Sequence, residues 1–152
     1  MRKVVRGFLM LGFCLIVAPR PTAAQEVVYT VPGVVNDGAL GTFFTCSAFD
    51  DQSVTVTVFN ATGNAAGTAT LSVSANTSVT IGTTSADGIS PDANTDSPDA
   101  NTDSPTIAKG YGQVSSTSPK LICSAMVADL SSAPPVSLTS LPVQKRTSSE
   151  GN

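Results

Sequence analysis

The sequence predicts an all-β protein, an antiparallel immunoglobulin-like β-sandwich of about seven or eight strands with one disulfide. Three observations lead to this prediction. Several windows alternate apolar and hydroxyl-bearing residues with the period of two that is typical of a half-buried strand. Turn signals recur about every 8–12 residues, and no window has helical periodicity. Finally, one cysteine lies in an early strand window and another in a late one.

The strand windows follow one another along the chain. In residues 53–58 the valines fall on one face and the hydroxyls on the other, and Phe44, Cys46 and Ala48 alternate in the window before. Asp50 and Asp51 separate these two windows and predict a tight turn. Phe43 and Phe49 are expected in the core rather than on a sugar-binding surface. The predicted strands cover residues 27–31, 44–48, 53–58, 70–74, 79–81, 111–115, 121–127 and 136–143.

The first 24 residues predict a secretory signal peptide. Arg2, Lys3 and Arg6 precede an apolar run over residues 7–18, and small residues lead to a cleavage site after Ala24. The apolar run is too short for a membrane span, which needs about 20 residues. We therefore expect a secreted or periplasmic protein with a sandwich domain over residues 25–146 and a flexible tail over 147–152.

The charge balance excludes two classes of partner. The signal peptide holds four of the eight basic residues and none of the eleven acidic ones, so the remaining chain carries a net charge of −7. Nucleic acids and anionic membrane surfaces both require a basic footprint, which this chain lacks.

The residue inventory also argues against catalysis. Because histidine is absent, the chain cannot build a Ser-His-Asp triad, a Cys-His dyad or a histidine-ligated metal site. A hydrolase that uses carboxylates such as Asp50 and Asp51 is the least favoured alternative, because neighbouring strand residues point to opposite faces. We expect no enzyme activity, no catalytic residue and no cofactor other than, in one alternative, calcium.

Two cysteines remain after signal-peptide cleavage, and an even count in an exported protein favours a disulfide. Pairing Cys46 with Cys123 would close a loop of 77 residues and stabilise the fold by roughly 4–5 kcal/mol. Their early and late positions lead us to expect a bridge between two packed sheets, as in immunoglobulin domains. The core tryptophan of those domains is missing, and Leu121 stands where they have a tyrosine, so the prediction concerns architecture alone.

A seven-residue tandem repeat interrupts the strand pattern. Residues 90–96 recur without change as 97–103, within an acidic low-complexity insertion over 90–105. Alternating Asp and Asn oxygens are what a weak extracellular calcium site would use, although the Gly and Glu of an EF-hand loop are missing. The other interpretation, which composition favours, is a solvated insertion with no regular structure. The candidate calcium ligands are Asp92, Asn94, Asp96, Asp99, Asn101 and Asp103.

Three segments of the sequence resemble a known group of proteins. Residues 41–46 (GTFFTC), 56–60 (VTVFN) and 120–126 (KLICSAM), together with the late Pro134-Pro135 pair, resemble a group of small exported bacterial proteins without an assigned activity. The resemblance covers residues 33–146. It implies the sandwich and the disulfide, and it supplies no catalytic residue.

These observations predict an exported, non-catalytic binding or structural module. Its partner would be a protein or a glycan at the cell surface or outside the cell, contacted through loops or a sheet face. The alternative is a calcium-dependent extracellular module that uses the Asp/Asn repeat.

Overall fold

The computed structural model describes residues 24–83, 99–101, 106–132 and 137–146, with the backbone alone for 99–101. The predicted signal peptide up to residue 23 and the predicted tail lie outside these residues. The described chain forms ten strands and no helix. The strands are β1 (Glu26–Asn36), β2 (Leu40–Ala48), β3 (Gln52–Asn60), β4 (Ala65–Val73), β5 (Thr77–Gly82), β6 (Asp99–Asn101), β7 (Ile107–Ser116), β8 (Leu121–Asp129), β9 (Leu138–Leu141) and β10 (Gln144–Lys145).

The all-β prediction is confirmed, and each of the eight predicted windows overlaps a strand. In β3 the fully buried Val54, Val56 and Val58 alternate with hydroxyl-bearing residues, as the period of two predicts. The described residues contain no helix that could span a bilayer.

The strands form two ladders. In the first, β10 pairs only with the start of β1, and the order continues β1, β7, β3, β4. The second has the order β6, β5, β2, β8, β9. The ladders are joined where β1 turns into β2, at the single pair Asn36 and Gly41. The described strand pairs are antiparallel, as predicted, except that β6 pairs with β5 in parallel.

The two ladders pack against each other through a common apolar core. Phe44 on β2 meets Gly112 on β7, where an added Cβ would lie 2.6 Å from Phe44 Cζ. The buried Tyr29 hydroxyl of β1 donates to the backbone carbonyl of Leu121 on β8. These contacts set the distance between the ladders and their lateral alignment.

The predicted disulfide between Cys46 and Cys123 is confirmed, but the expectation that it bridges two packed sheets is wrong. The two cysteines lie directly opposite each other on the neighbouring strands β2 and β8. Their Cα atoms are 4.1 Å apart, close to the spacing of a non-hydrogen-bonded pair in an antiparallel ladder. The bridge therefore links strands that backbone hydrogen bonds already join.

A buried hydroxyl network holds the junction of the ladders. The Thr42 hydroxyl accepts the Val35 N–H and donates to the Val35 carbonyl, both at 2.9 Å. The Thr83 hydroxyl accepts the Thr42 N–H at 3.0 Å and donates to the Val35 carbonyl at 3.2 Å. Thr42 and Thr83 are fully buried, and their bonds satisfy backbone groups where β1 leaves the first ladder.

Candidate functional site

The repeat residues are only partly within the described chain. Asp92, Asn94, Asp96 and Asp103 lie outside it, and Asp99 and Asn101 have a described backbone in β6, opposite Thr80 and Gly82. Composition favours no regular structure in the repeat, but residues 99–101 pair in parallel with β5. Among the described residues, no group of three or more His, Cys, Asp or Glu side chains could hold a metal ion. Calcium binding by the repeat stays a prediction.

Asp50 and Asp51 lie in the turn between β2 and β3, as predicted. Asp50 Oδ2 accepts the Ser118 hydroxyl at 3.0 Å and lies 3.5 Å from Lys120 Nζ. Asp51 Oδ1 accepts the backbone N–H of Ala75 at 2.8 Å. Each carboxylate thus ties its turn to a different neighbouring loop, and the two do not face each other across a cleft.

Two described side chains have a shifted pKa. Burial raises the pKa of the Tyr29 phenol. Hydrogen bonds from the side chain and backbone of Ser131 lower the pKa of the Asp129 carboxyl group. The Tyr29 hydroxyl is occupied by the Leu121 carbonyl and Asp129 by its own turn, so both groups have a structural role.

Hydroxyl pairs cover the side of the second ladder that faces away from the core, called here the outer face. The Thr45 and Thr80 hydroxyl oxygens are 3.2 Å apart, and those of Ser47 and Ser78 are 2.7 Å apart. Ser124 lies opposite Thr45 and extends this row onto β8. The outward positions of β2, β5, β8 and β9 carry no charged side chain.

Three large apolar side chains are exposed in the described chain, and all three occupy outward-facing positions of the second ladder. Ile122 is 61% exposed and lies opposite Ser47, and Leu138 is 61% exposed and lies opposite Ala128. Phe49, which follows β2, is 53% exposed, so the expectation that it belongs to the core is wrong. Phe43 is buried as expected, although it lies opposite Met126 on the outer face and not among the residues of the common core.

These side chains form a stripe along β8. Phe49 donates its backbone N–H to the Lys120 carbonyl, two residues before Ile122. The half-buried Met126 lies on the same face between Ile122 and the Ala128–Leu138 pair. We call Phe49, Ile122, Met126 and Leu138 the β8 stripe. It spans about 26 Å, because Phe49 lies opposite Lys120 and Leu138 lies opposite Ala128, eight residues further along β8 at a rise of about 3.3 Å per residue.

The corresponding face of the first ladder has a different character. The hydroxyls of Thr55 and Thr70 are 2.8 Å apart, and Thr68 donates to Thr57 at 3.3 Å. At one end the rings of Phe59 and Tyr111 stack with their centroids 4.7 Å apart. Both rings are half-buried and lie against each other, so neither face that takes part in the stack is open to a ligand. No large apolar side chain among the described residues is exposed on this face.

Sequence reasoning missed the β8 stripe. Alternation in residues 121–127 places Ile122 and Met126 on the face opposite Leu121 and Ala125, so this part of the signal was available. That Phe49 and Leu138 join them depends on the register of β2 and β9 against β8, and no local pattern specifies that register.

Comparison of this chain with protein-family models, with curated proteins and with solved structures finds no match.

Proposed function

We propose that this chain is an exported, non-catalytic binding or structural module with an immunoglobulin-like sandwich architecture. Its contact surface is the outer face of the second ladder, centred on the β8 stripe. One observation carries the proposal: all three large apolar side chains exposed in the described chain lie on this one face. Exposed apolar side chains gathered on one surface mark interaction sites, whereas scattered ones are ordinary.

The chemistry of the face favours a protein partner. Protein interfaces have a centre that is depleted of charge and enriched in aromatic residues and Met, surrounded by a polar rim. The β8 stripe supplies Phe49 and Met126 among uncharged hydroxyls, and the ion pair between Lys120 and Asp50 lies at its end. A glycan is the competing partner class.

The disulfide supports the exported location. Disulfides persist in oxidising compartments such as the periplasm and the extracellular space. The Cys46–Cys123 bridge is therefore consistent with the predicted signal peptide. The packing of the two ladders around Phe44 supports the sandwich architecture.

A charge placed on the stripe tests the proposal. Wild type, Ile122→Glu and Thr57→Glu are each prepared as tagged mature protein. Each is used to recover partners from the exported fraction of cells that produce the protein. Thr57 is the control because it lies on the outer face of the first ladder, away from the β8 stripe. We expect a protein that wild type and Thr57→Glu retain and Ile122→Glu loses.

Two results would contradict the proposal. Equal retention by both variants would move the contact surface away from the β8 stripe. A bound component that survives protease treatment and contains sugar would make the partner a glycan rather than a protein.

A further inference from the structure

The two cysteines of the disulfide have different surroundings. Cys46 lies on β2 between β5 and β8, and it is 1% exposed. Cys123 lies on β8 and is half-buried. Cys46 is thus enclosed by strands on both sides, whereas Cys123 is only partly buried and packs against the margin of the core.

The short length of β9 accounts for the exposure of Cys123. β9 pairs with β8 only from Ala125 to Ala128. Among the described residues, the part of β8 that contains Cys123 therefore has no strand neighbour on the side away from β2. The disulfide spans from β2 towards this unpaired edge, where the half-buried Val143 also packs against the core.

We propose that Cys123 is a thiol-exchange site in the folded protein and that a dithiol reductant opens the disulfide by attacking its sulfur. Exchange proceeds when a thiolate approaches a disulfide sulfur from the side opposite the sulfur that leaves, and its rate depends on access to the attacked atom. For Cys123 Sγ that approach comes from the unpaired edge of β8. For Cys46 Sγ it would come from the direction of β5, which is occupied.

The electrons and protons balance in two steps. A thiolate of the dithiol forms a bond to Cys123 Sγ, the Cys46–Cys123 bond breaks, and Cys46 leaves as a thiolate that takes a proton from water. The second thiolate of the dithiol then attacks its partner sulfur in the mixed disulfide and releases Cys123 as a thiolate. The dithiol is oxidised to a disulfide, and the cysteine pair is reduced by two electrons.

The fold holds the two strands together without the bridge. Register pairs join β2 and β8 without interruption from Leu40 and Asp129 to Ala48 and Leu121. One more backbone hydrogen bond follows the last register pair, because the Phe49 N–H donates to the Lys120 carbonyl at 3.1 Å. Cys46 and Cys123 therefore stay opposite each other after reduction, which makes the exchange reversible.

Native-state thiol chemistry on the mature protein tests the proposal. Wild type is treated with glutathione without denaturant, quenched with acid, alkylated and mapped by peptide mass spectrometry. We expect mixed disulfide on the peptide that contains Cys123 and alkylation on the peptide that contains Cys46. Glutathione found equally on both, or on Cys46 alone, would overturn the proposal.

Matched single variants give a second readout. In Cys46→Ser the free thiol is Cys123, and in Cys123→Ser it is Cys46. We expect an aromatic disulfide reagent to react at least about tenfold faster with Cys46→Ser, because thiol reactivity follows access to the thiolate. Equal rates in the two folded variants would contradict the proposal. If either variant fails to fold, the rate at which dithiothreitol reduces the wild-type disulfide is measured across urea concentrations. A reduction rate that follows the rate of global unfolding would overturn the proposal.

Discussion

Gly112 of the first ladder faces the ring of Phe44 of the second, and the missing side chain of Gly112 leaves the space that this ring fills. A Cβ on residue 112 would lie 2.6 Å from Phe44 Cζ and 2.7 Å from Cε1. Both residues are buried, so the ring cannot swing into solvent. This contact fixes how closely the two ladders approach each other.

Gly112→Ala should therefore destabilise the protein by about 1–3 kcal/mol, the usual cost of overpacking a core. Urea unfolding measures the change. Phe44→Leu removes the ring atoms that the new methyl group would meet. In the double variant the cost of Gly112→Ala should fall, and strictly additive costs would show that the two residues are not in contact.

The Tyr29 hydroxyl makes a buried hydrogen bond that Tyr29→Phe removes. The change leaves the Leu121 carbonyl without this donor and should lower the free energy of unfolding by about 1–3 kcal/mol. Urea unfolding at neutral pH gives the value. An unchanged midpoint would contradict the assigned role of this bond.

The same residue predicts a fall in stability at alkaline pH. Burial raises the pKa of Tyr29 above its ordinary value of about 10, so the folded state holds the phenolic proton more tightly than the unfolded state. The contribution of Tyr29 to stability is complete below the unfolded pKa and is lost as the pH rises through the folded pKa. The wild-type urea midpoint should fall above about pH 10, and Tyr29→Phe should show a smaller fall.

The buried hydroxyl network at the junction of the ladders offers a matched pair of variants. Thr42→Val leaves the N–H of Val35 without its partner and removes one of the two hydroxyl donors to the Val35 carbonyl, so it should cost about 1–3 kcal/mol. Thr45→Val removes only a hydroxyl contact on the outer face and should change stability by no more than about 0.5 kcal/mol. Thermal unfolding of both variants compares them, and similar losses would contradict this assignment.

The strand content could be predicted from alternation because local patterning determines which residues face the core. Val54, Val56 and Val58 are the clearest case. Alternation does not predict which strand lies beside which. Whether Cys46 and Cys123 connect two sheets or two adjacent strands depends on strand order, which the spacing of two cysteines does not encode.

The short strands and the contact surface were also harder to predict, because they depend on how the strands pair. β10 consists of Gln144 and Lys145, a length at which no period is visible. The Asp and Asn content of β6 argues against a strand, and its pairing with β5 overrides that local preference. The β8 stripe combines residues from separate parts of the chain, such as Phe49 and Ile122, so it exists only once the register is set.

The repeat provides a test of calcium dependence that leaves β6 in place. Because residues 90–96 and 97–103 are identical, deleting seven residues leaves one complete copy to supply the β6 sequence. We expect this deletion and excess calcium to leave the melting temperature unchanged, as for a solvated insertion. A calcium-dependent rise that chelator reverses and the deletion abolishes would establish an ion site instead.

Site-specific photo-crosslinking shows whether the β8 stripe is the surface that contacts a partner protein. A photoreactive phenylalanine is placed at Ile122 or Leu138, or at the control positions Thr57 and Thr68 on the first ladder, in cells that export the protein. We expect a discrete crosslinked protein from Ile122 and Leu138 and none from the control positions. Crosslinks of equal yield from both faces, or from the control positions alone, would contradict the proposal.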